Sequence, residues 1–143
     1  MSHTGPILRG KGATDYERYL RTDELLALQK KRAELVHPEE SLFQVTHQAA
    51  ELWLKEIDIE IDRIVELIGE GSYHDAADLL FRCERILNLL REQIVILETM
   101  DPVDYHVIRI NSLGRGSGQE SPGFNRILDA GDRIWPVVEE SLR

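Results

Sequence analysis

Tyr105 and Arg109 form a pair of side chains whose types and spacing could bind a ligand. They lie four residues apart, which places a phenol and a guanidinium on one helical face. A guanidinium can hold a carboxylate through two parallel hydrogen bonds, and the phenol adds one more donor. The pair fits a carboxylate-binding site, and it fits equally well a surface arginine beside a half-buried tyrosine.

His47 is a second candidate, because it interrupts an apolar helical stripe. The other stripe positions hold Phe, Ala, Leu and Ile, and Phe43 lies one turn away. A stripe position faces the core, so we expect the imidazole to be at least partly buried. Two interpretations stay open: a core histidine satisfied by a hydrogen bond, or a polar group that lines an apolar pocket.

The segment 113–123 is a third candidate, because it contains four glycines and one proline and is therefore expected to be a loop. It lacks the Gly-Lys-Ser/Thr ending of a phosphate-binding loop and follows no strand. A nucleotide site is thus poorly supported. A mobile segment over a pocket is the better interpretation.

Metal chemistry based on protein ligands alone is not expected. Glu34 and His37 form a single Glu-x-x-His motif, whereas a di-iron bundle needs two such motifs and further inward-facing glutamates. His47 and Glu51 share an i, i+4 spacing, but two ligands do not complete a site. The sequence has no Cys-x-x-Cys-His motif for covalent haem attachment.

Helical periodicity predicts the elements that position these candidates, and it predicts an all-α fold. One apolar stripe runs from Phe43 to Ile68 with alternating spacings of four and three, and it ends at a turn at 69–72. A second long helix, antiparallel to the first, carries a stripe from Leu79 to Leu97. We predict a helical bundle around these two helices, with a core that includes Leu54, Ile57, Ile61, Ile64, Leu87, Leu90, Ile94 and Leu97.

The first part of the chain is predicted to contain a disordered segment, residues 1–13, before a single helical domain, residues 14–143. Thr22 or Asp23 can cap a helix, since both side chains accept hydrogen bonds from free backbone N–H groups. We expect that helix to end at His37-Pro38, because the residue before a proline avoids the helical conformation.

The last third of the chain is also predicted to be helical. Asp101 as a cap and Pro102 at the first helical position begin a short helix that reaches about Leu113. A final amphipathic helix covers about 124–142, with a kink expected at Pro136. No stretch shows the period-two alternation of a strand, which agrees with an all-α fold.

Composition narrows the class of protein. The formal net charge of −9 disfavours nucleic acid and anionic membranes as partners. No apolar run is long enough to span a bilayer, and the N-terminus has no apolar stretch typical of a signal peptide. The single cysteine, Cys83, has apolar neighbours, so we expect it to be buried in the core and unreactive. A cytoplasmic location is expected.

Several motifs, in order, resemble those of tryptophan 2,3-dioxygenases. The segment 41–55, SLFQVTHQAAELWLK, resembles the signature helix of that family, with its Leu-Phe, His-Gln and Glu-Leu-Trp-x-Lys. Upstream, YERYL at 16–20, DELL at 23–26 and Gln29 resemble the N-terminal motif. Downstream, VILETM at 95–100 is similar to the Val-Leu-Glu-Thr segment, followed by the Tyr-x-x-x-Arg pair and the Ser-Gly loop.

The resemblance implies an all-helical enzyme that binds haem b and inserts O₂ into the indole ring of tryptophan or a related aromatic amino acid. It implies that His47 is the distal histidine, which hydrogen-bonds the indole N–H, and that Phe43 packs on the indole. It further implies that a substrate is bound by Tyr105 and Arg109 at its carboxylate, by the loop residues Ser117 and Gly118, and by Tyr16, Tyr19 and Leu20 of a neighbouring subunit. A homo-oligomer, dimer or tetramer, follows from that arrangement.

The sequence departs from the family pattern at three points. No histidine follows His106, so no proximal haem ligand is found, and the chain is interpreted as a short or incomplete member. Gln119 and Ile94 stand where aromatic residues occur in relatives, which favours a modified indole or a tyrosine as substrate. The alternative hypothesis is a non-catalytic helical module that binds an indole-like ligand or assembles with a partner, without haem.

Overall fold

The structure is a computed structural model that describes residues 5–143, and within that range it is all-helical, with no strand. The predicted fold class is thereby confirmed. Short 3-10 turns lie at Arg32–Glu34 and Gly118–Glu120, and a π-helical turn lies at Arg109–Leu113. The α-helices of the described range are α1 (Asp15–Leu20), α2 (Thr22–Leu25), α3 (Glu40–Gly69), α4 (Tyr73–Leu97), α5 (Pro102–Ile108), α6 (Pro122–Leu128) and α7 (Ala130–Ser141).

The helices α3 and α4 form a long antiparallel hairpin that organises the rest of the chain. α3 has 30 residues and therefore extends about 45 Å at the usual rise per residue. The predicted turn at 69–72 is present, and Ser72 N–H donates to the Leu67 carbonyl at 2.8 Å to close it. The hairpin confirms the two long stripes predicted from the sequence.

The hydrophobic core lies at the turn end of this hairpin, where α7 packs along α3. Apolar side chains of α6 and α7 pack against it, including Ile127, Ile134 and Val138. Cys83 is buried in this core, as expected, and burial raises the pKa of its thiol, which keeps it protonated. The buried core residues of the two long helices are Ile57, Ile61, Ile64, Ile68, Ala76, Leu79, Cys83 and Ile86.

The predicted core is correct for α3 and partly wrong for α4. Leu54, like the three α3 isoleucines predicted with it, is buried, but the side chains of Leu87 and Ile94 are 46% and 58% exposed. Leu90 and Leu97 are half-buried. The reason is that α4 packs on α3 through Leu79, Cys83 and Ile86. Side chains one position away from this contact line lie at the side of the interface and remain exposed.

Helix boundaries differ from the prediction at both ends of the chain. The helix that begins at Thr22 ends at Leu25 rather than at His37-Pro38, and the separate α1 before it was not predicted. The final helix is broken at Asp129, whereas Pro136 lies inside α7. Local propensity did not decide these ends. Residues 28–36 contain no α-helix, and side chains of α3 hydrogen-bond the backbone of Leu28, Lys30 and Val36 in this segment.

The N-terminal prediction falls partly on residues 1–4, which lie outside the described residues. Residues 5–13 form neither helix nor strand, although Gly10 N–H donates to the Arg18 carbonyl at 2.8 Å. No helix of the described range is long and apolar enough to cross a membrane.

Charged residues fasten α6 and α7 to the middle of α3. Asp58 accepts hydrogen bonds from Arg126 at 3.2 Å and from Arg133 at 2.5 Å, and Arg133 also binds Asp62. Burial alone would raise the pKa of Asp58, but the two guanidinium groups outweigh it and hold that pKa below its ordinary value. These ion pairs fix the position of α6 and α7 along α3.

Candidate functional site

The first third of α3 carries a polar face that binds other segments through hydrogen bonds. Glu40, Gln44, Gln48 and Glu51 recur at spacings of four, four and three, so their side chains leave the helix on one side. We call these four residues the polar face of α3. Its amides hold the segment before α3: Gln44 accepts from Lys30 N–H at 2.9 Å, and Gln48 accepts from Gln29 Nε2 at 2.7 Å.

Glu40 and Lys30 connect this face to the turn after α5. Glu40 is buried, and its carboxylate accepts from Lys30 Nζ at 2.5 Å and from Val36 N–H at 2.7 Å. Lys30 Nζ also lies 3.1 Å from Ser112 Oγ. Burial would raise the pKa of Glu40, but the hydrogen bonds from Lys30, Ser112 and Val36 outweigh it and lower that pKa.

The helix α5 and the turn directly after it carry the predicted carboxylate-binding pair. Asp101 caps it by accepting from Val103 N–H at 2.8 Å, and Pro102 occupies the first turn, as predicted. Arg109 follows the helix directly and begins the π-helical turn. Such turns insert an extra residue into a helix and often occur at functional sites.

Aromatic rings of α3 and α5 meet at the centre of the site. The ring centroids of Phe43 and His47 are 4.2 Å apart, and those of Phe43 and Tyr105 are 6.0 Å apart. The distance between Phe43 and Tyr105 is in the range of favourable aromatic contacts, and the rings of Phe43 and His47 lie closer still. The two helical faces that carry the candidate residues therefore meet, which the sequence could not show.

His47 is exposed, so the expectation that it is at least partly buried is wrong. Its Nδ1 lies 2.7 Å from the carbonyl of Phe43. A carbonyl can only accept, so Nδ1 carries the hydrogen, and in the neutral ring Nε2 is left as an acceptor. The physical reason for the exposure is that α3 extends past the core at this end, where the His47 side chain lines a cavity.

Two adjoining cavities lie at this place. One, of about 300 Å³, is lined by Phe43, His47, Leu97, Tyr105, Arg109, Leu113, Ser117 and Gly118. The other, of about 420 Å³, shares five of those residues and adds the polar face of α3 with Lys30, Ile108, Ser112, Gly116, Glu120 and Ser121. Each volume lies in the range of small-molecule sites. The structure thus brings together Phe43, His47, Tyr105, Arg109, Ser117 and Gly118.

Arg109 is already engaged with the loop that follows it. Its Nη1 donates to the Gly116 carbonyl, which lies just before the Ser-Gly pair. A guanidinium has five N–H donors, so further donors remain for a ligand. Among the described residues, the Tyr105 hydroxyl has no hydrogen-bond partner.

The three N-terminal candidates are not at this site. Tyr16, Tyr19 and Leu20 lie on α1, and their exposed fractions are 70%, 72% and 42%. None of them lines either cavity. Within one chain, α1 therefore contributes nothing to the pocket.

Sequence reasoning missed the polar face of α3. Its signal was present, because Glu40, Gln44, Gln48 and Glu51 follow one another at helical spacing on the same helix as the apolar stripe. The apolar stripe drew attention to the core instead. In the part of the chain that the structure describes, no group of three or more His, Cys, Asp or Glu side chains is arranged to hold a metal ion.

The fold and the site define an all-helical domain whose cavity combines an aromatic ring, an imidazole and a guanidinium under a glycine-rich loop. The sequence model of tryptophan 2,3-dioxygenase matches residues 1–132. The chain belongs to the tryptophan 2,3-dioxygenase family.

Individual relatives agree with this assignment. The tryptophan 2,3-dioxygenase of Shewanella woodyi is 38% identical over 112 residues, which cover 78% of this chain and 38% of that protein. That of Caulobacter vibrioides is 41% identical over 112 residues, covering 78% and 41%. That of Xenopus tropicalis is 38% identical over 138 residues, covering 90% and 33%. The chain thus spans between a third and about two-fifths of the length of these relatives.

Proposed function

We propose that this chain provides the substrate-binding side of a haem-dependent oxygenase site that acts on tryptophan or a related aromatic amino acid and on O₂. The observation that carries the proposal is the single cavity lined by Phe43, His47, Tyr105 and Arg109. An aromatic amino acid has a flat ring and a carboxylate. The cavity offers an aromatic wall for the first and a guanidinium for the second.

Each side chain has a definite part in this proposal. Arg109 and Tyr105 hold the carboxylate, which fixes one end of the substrate. Phe43 packs against the ring, and His47 Nε2 accepts a hydrogen bond from the indole N–H. The Ser117-Gly118 segment covers the cavity and excludes water, so the ring is held in one orientation for reaction.

The lining of the cavity fits one side of a haem group. Phe43, Leu97 and Leu113 give an apolar wall, and His47 presents an imidazole on the same side. His47 is the one histidine among the described residues that line the cavity, and the proposal assigns it to the indole N–H, so a ligand for the iron would have to come from outside this lining. When bound, haem b supplies the activation of O₂.

Ligand titration tests the assignment of the carboxylate site. We expect Arg109→Ala to weaken binding of L-tryptophan by about tenfold to a hundredfold, because a hydrogen bond to a charged group contributes about 1.5–3 kcal/mol. Tryptamine, which lacks the carboxylate, should lose little. Arg115→Ala is the matched control, since Arg115 lies on the same loop outside both cavities. Equal losses for both ligands would show that Arg109 is structural.

His47→Ala should change the selectivity for the indole N–H and leave the selectivity for the carboxylate unchanged. Wild type should prefer L-tryptophan over its derivative methylated on the indole nitrogen, because Nε2 of His47 accepts the indole N–H. The variant should lose that preference and keep the preference for L-tryptophan over tryptamine. If the variant kept the preference for L-tryptophan over the methylated derivative, His47 would not bind the indole N–H.

A visible spectrum after haem reconstitution separates the proposal from its alternative. A Soret band that shifts with CO supports the oxygenase. A protein that stays colourless yet binds L-tryptophan supports a haem-free module that binds an indole-like ligand.

We also propose a homo-oligomer in which α1 contacts a neighbouring subunit near its pocket. The support is the exposure of two tyrosines and a leucine on one six-residue helix. Burial of such apolar side chains against a partner surface stabilises the oligomer. Light scattering at micromolar concentration tests this, and we expect Tyr16→Ala with Tyr19→Ala to lower the mass of the particle. A monomeric wild type would contradict the proposal.

A further inference from the structure

The loop that covers the cavity is fastened at both of its ends. At the first end, Arg109 donates to the Gly116 carbonyl. At the second end, the Glu51 carboxylate accepts from Ser121 Oγ through Oε1 and from Gly123 N–H through Oε2 at 3.1 Å. The two attachments come from different helices, and each involves a residue that lines a cavity.

Between these two attachments, residues of the loop hydrogen-bond to one another. Ser117 N–H donates to the Glu120 carboxylate at 2.7 Å, and Gln119 N–H lies 3.3 Å from Ser117 Oγ. Among the described hydrogen bonds, none joins residues 117–120 to α3, α4 or α5. Asn125 Nδ2 of α6 also donates to the Gln119 carbonyl at 3.1 Å. The segment is therefore tied to itself and to α6, and its position relative to α3 and α5 depends on its two ends.

Glu51 is placed to control the second end. It lies one turn after His47 on α3 and lines the larger cavity together with His47 and Ser117. Both of its carboxylate oxygens are used as acceptors, one by a side chain and one by the backbone at the start of α6. Ser121, in turn, caps α6 by accepting from Phe124 N–H at 3.0 Å. One carboxylate thus joins the loop, α6 and the helix that carries the imidazole.

The contact between α6 and α3 at this point is unusually close. A Cβ atom on Gly123 would lie 2.7 Å from Leu54 Cβ and 2.8 Å from Glu51 Oε2. Only a glycine lets the backbone N–H reach the carboxylate at this position. By contrast, a Cβ on Gly114 at the other end would meet no atom within 4 Å, and Gly114 has a φ of +60°.

We propose that Glu51 is a positioning residue that fixes the Ser121 end of the loop to α3, one helical turn from His47. Movement of the loop over the cavity is then confined to the end near Gly114 and Gly116, where Arg109 holds it. A ligand carboxylate that binds the remaining donors of Arg109 then acts at that movable end only. The nature of this ligand rests on the proposed function, whereas the fixed end does not.

Hydrogen–deuterium exchange of the ligand-free chain tests the fixed end. In Glu51→Gln, the amide cannot accept from both donors, so Gly123 N–H or Ser121 Oγ loses its acceptor. We expect exchange in residues 117–123 to accelerate by about tenfold, consistent with loss of a hydrogen bond to a charged group. Glu66→Gln is the control, because Glu66 is an exposed carboxylate on the same helix.

The exchange pattern distinguishes positioning from general stability. Amides of α3 and α4 near Ile64 should exchange at wild-type rates in Glu51→Gln. Unchanged exchange in residues 117–123 would overturn the proposal, and so would an equal acceleration along the whole hairpin. In Ser121→Ala, exchange of Gly123 N–H itself should accelerate less than in Glu51→Gln, because this N–H keeps its acceptor, whereas Phe124 N–H loses its cap.

A second arm uses L-tryptophan as the probe. If it binds as proposed, it should slow exchange in residues 114–121 of the wild type, and the slowing should be smaller in Glu51→Gln. If L-tryptophan protects nothing in the wild type, the proposed function fails in its choice of ligand. The ligand-free comparison still decides whether Glu51 fixes the loop.

Discussion

The two ends of α3 hold the molecule together in different ways. From Leu54 to Ile68 the helix is held by buried apolar side chains, which α4 and α7 cover. From Glu40 to Glu51 it is held by hydrogen bonds to segments without long helices. Burial is non-directional and tolerates small shifts, whereas a hydrogen bond needs a defined distance and angle. The helix therefore stabilises the fold at one end and orients a cavity at the other.

Glu60 shows that the apolar end of α3 also has polar contacts, which support the helix pair and not the cavity. It is buried at the apolar end, where its carboxylate accepts from Arg63 at 2.9 Å and Arg82 at 2.5 Å. These contacts join α3 to itself and to α4, far along the helix from the cavity. At the site end, by contrast, each residue of the polar face contacts a segment that lines a cavity or leads into one. Polar contacts at the two ends thus support different structures.

The largest effect is expected at the apolar end. Ile64 is fully buried, so Ile64→Ala should lower the free energy of unfolding by about 2–5 kcal/mol, through lost burial and the cavity left behind. Urea unfolding measures this loss. Under conditions where the variant is folded, its affinity for L-tryptophan should match that of the wild type. A large loss of affinity in the folded variant would break the division between the two ends.

A smaller effect is expected where the two ends meet. Gly123→Ala should cost about 1–3 kcal/mol, because the new methyl group overlaps Leu54 and Glu51. Gly131→Ala is the matched control: a Cβ there meets no atom within 4 Å, and alanine in a helix is favoured over glycine by up to about 1 kcal/mol. Thermal unfolding of both variants gives the comparison. Equal melting temperatures would show that α6 does not approach α3 so closely.

The smallest effect is a dependence on pH at the site end. The folded pKa of Glu40 lies below its ordinary value of 4.5, so its stabilisation is present above that pH and is lost as pH falls through the folded pKa. Glu40→Gln should therefore make stability fall less steeply below about pH 4.5. Urea unfolding at a series of pH values measures the slopes. If stability fell with pH at the same slope in wild type and in Glu40→Gln, Glu40 would not contribute to the pH dependence of stability.

Much of the fold was predictable because its signals are local. The stripes of α3 and α4, the turn between them and the Asp101-Pro102 start of α5 each depend on residues close together in sequence. The errors occur where another segment decides. Leu87 and Ile94 look like core positions by spacing, but the angle at which α4 meets α3 leaves them exposed. The segment 28–36 does not continue the predicted α-helix, and Gln44, Gln48 and Glu40 bind its backbone instead.

The sequence by itself determined the all-helical class, the two long stripes and the family, since periodicity and motif order are properties of the chain alone. It also determined which side chains share a helical face, such as Phe43 with His47 and Tyr105 with Arg109. Only the tertiary structure decided that these two faces meet at one cavity and that Glu51 holds the loop beside it. The physical reason is that a hydrogen bond between residues 70 or more positions apart has no periodic signal, and it exists only once packing has brought its partners within reach.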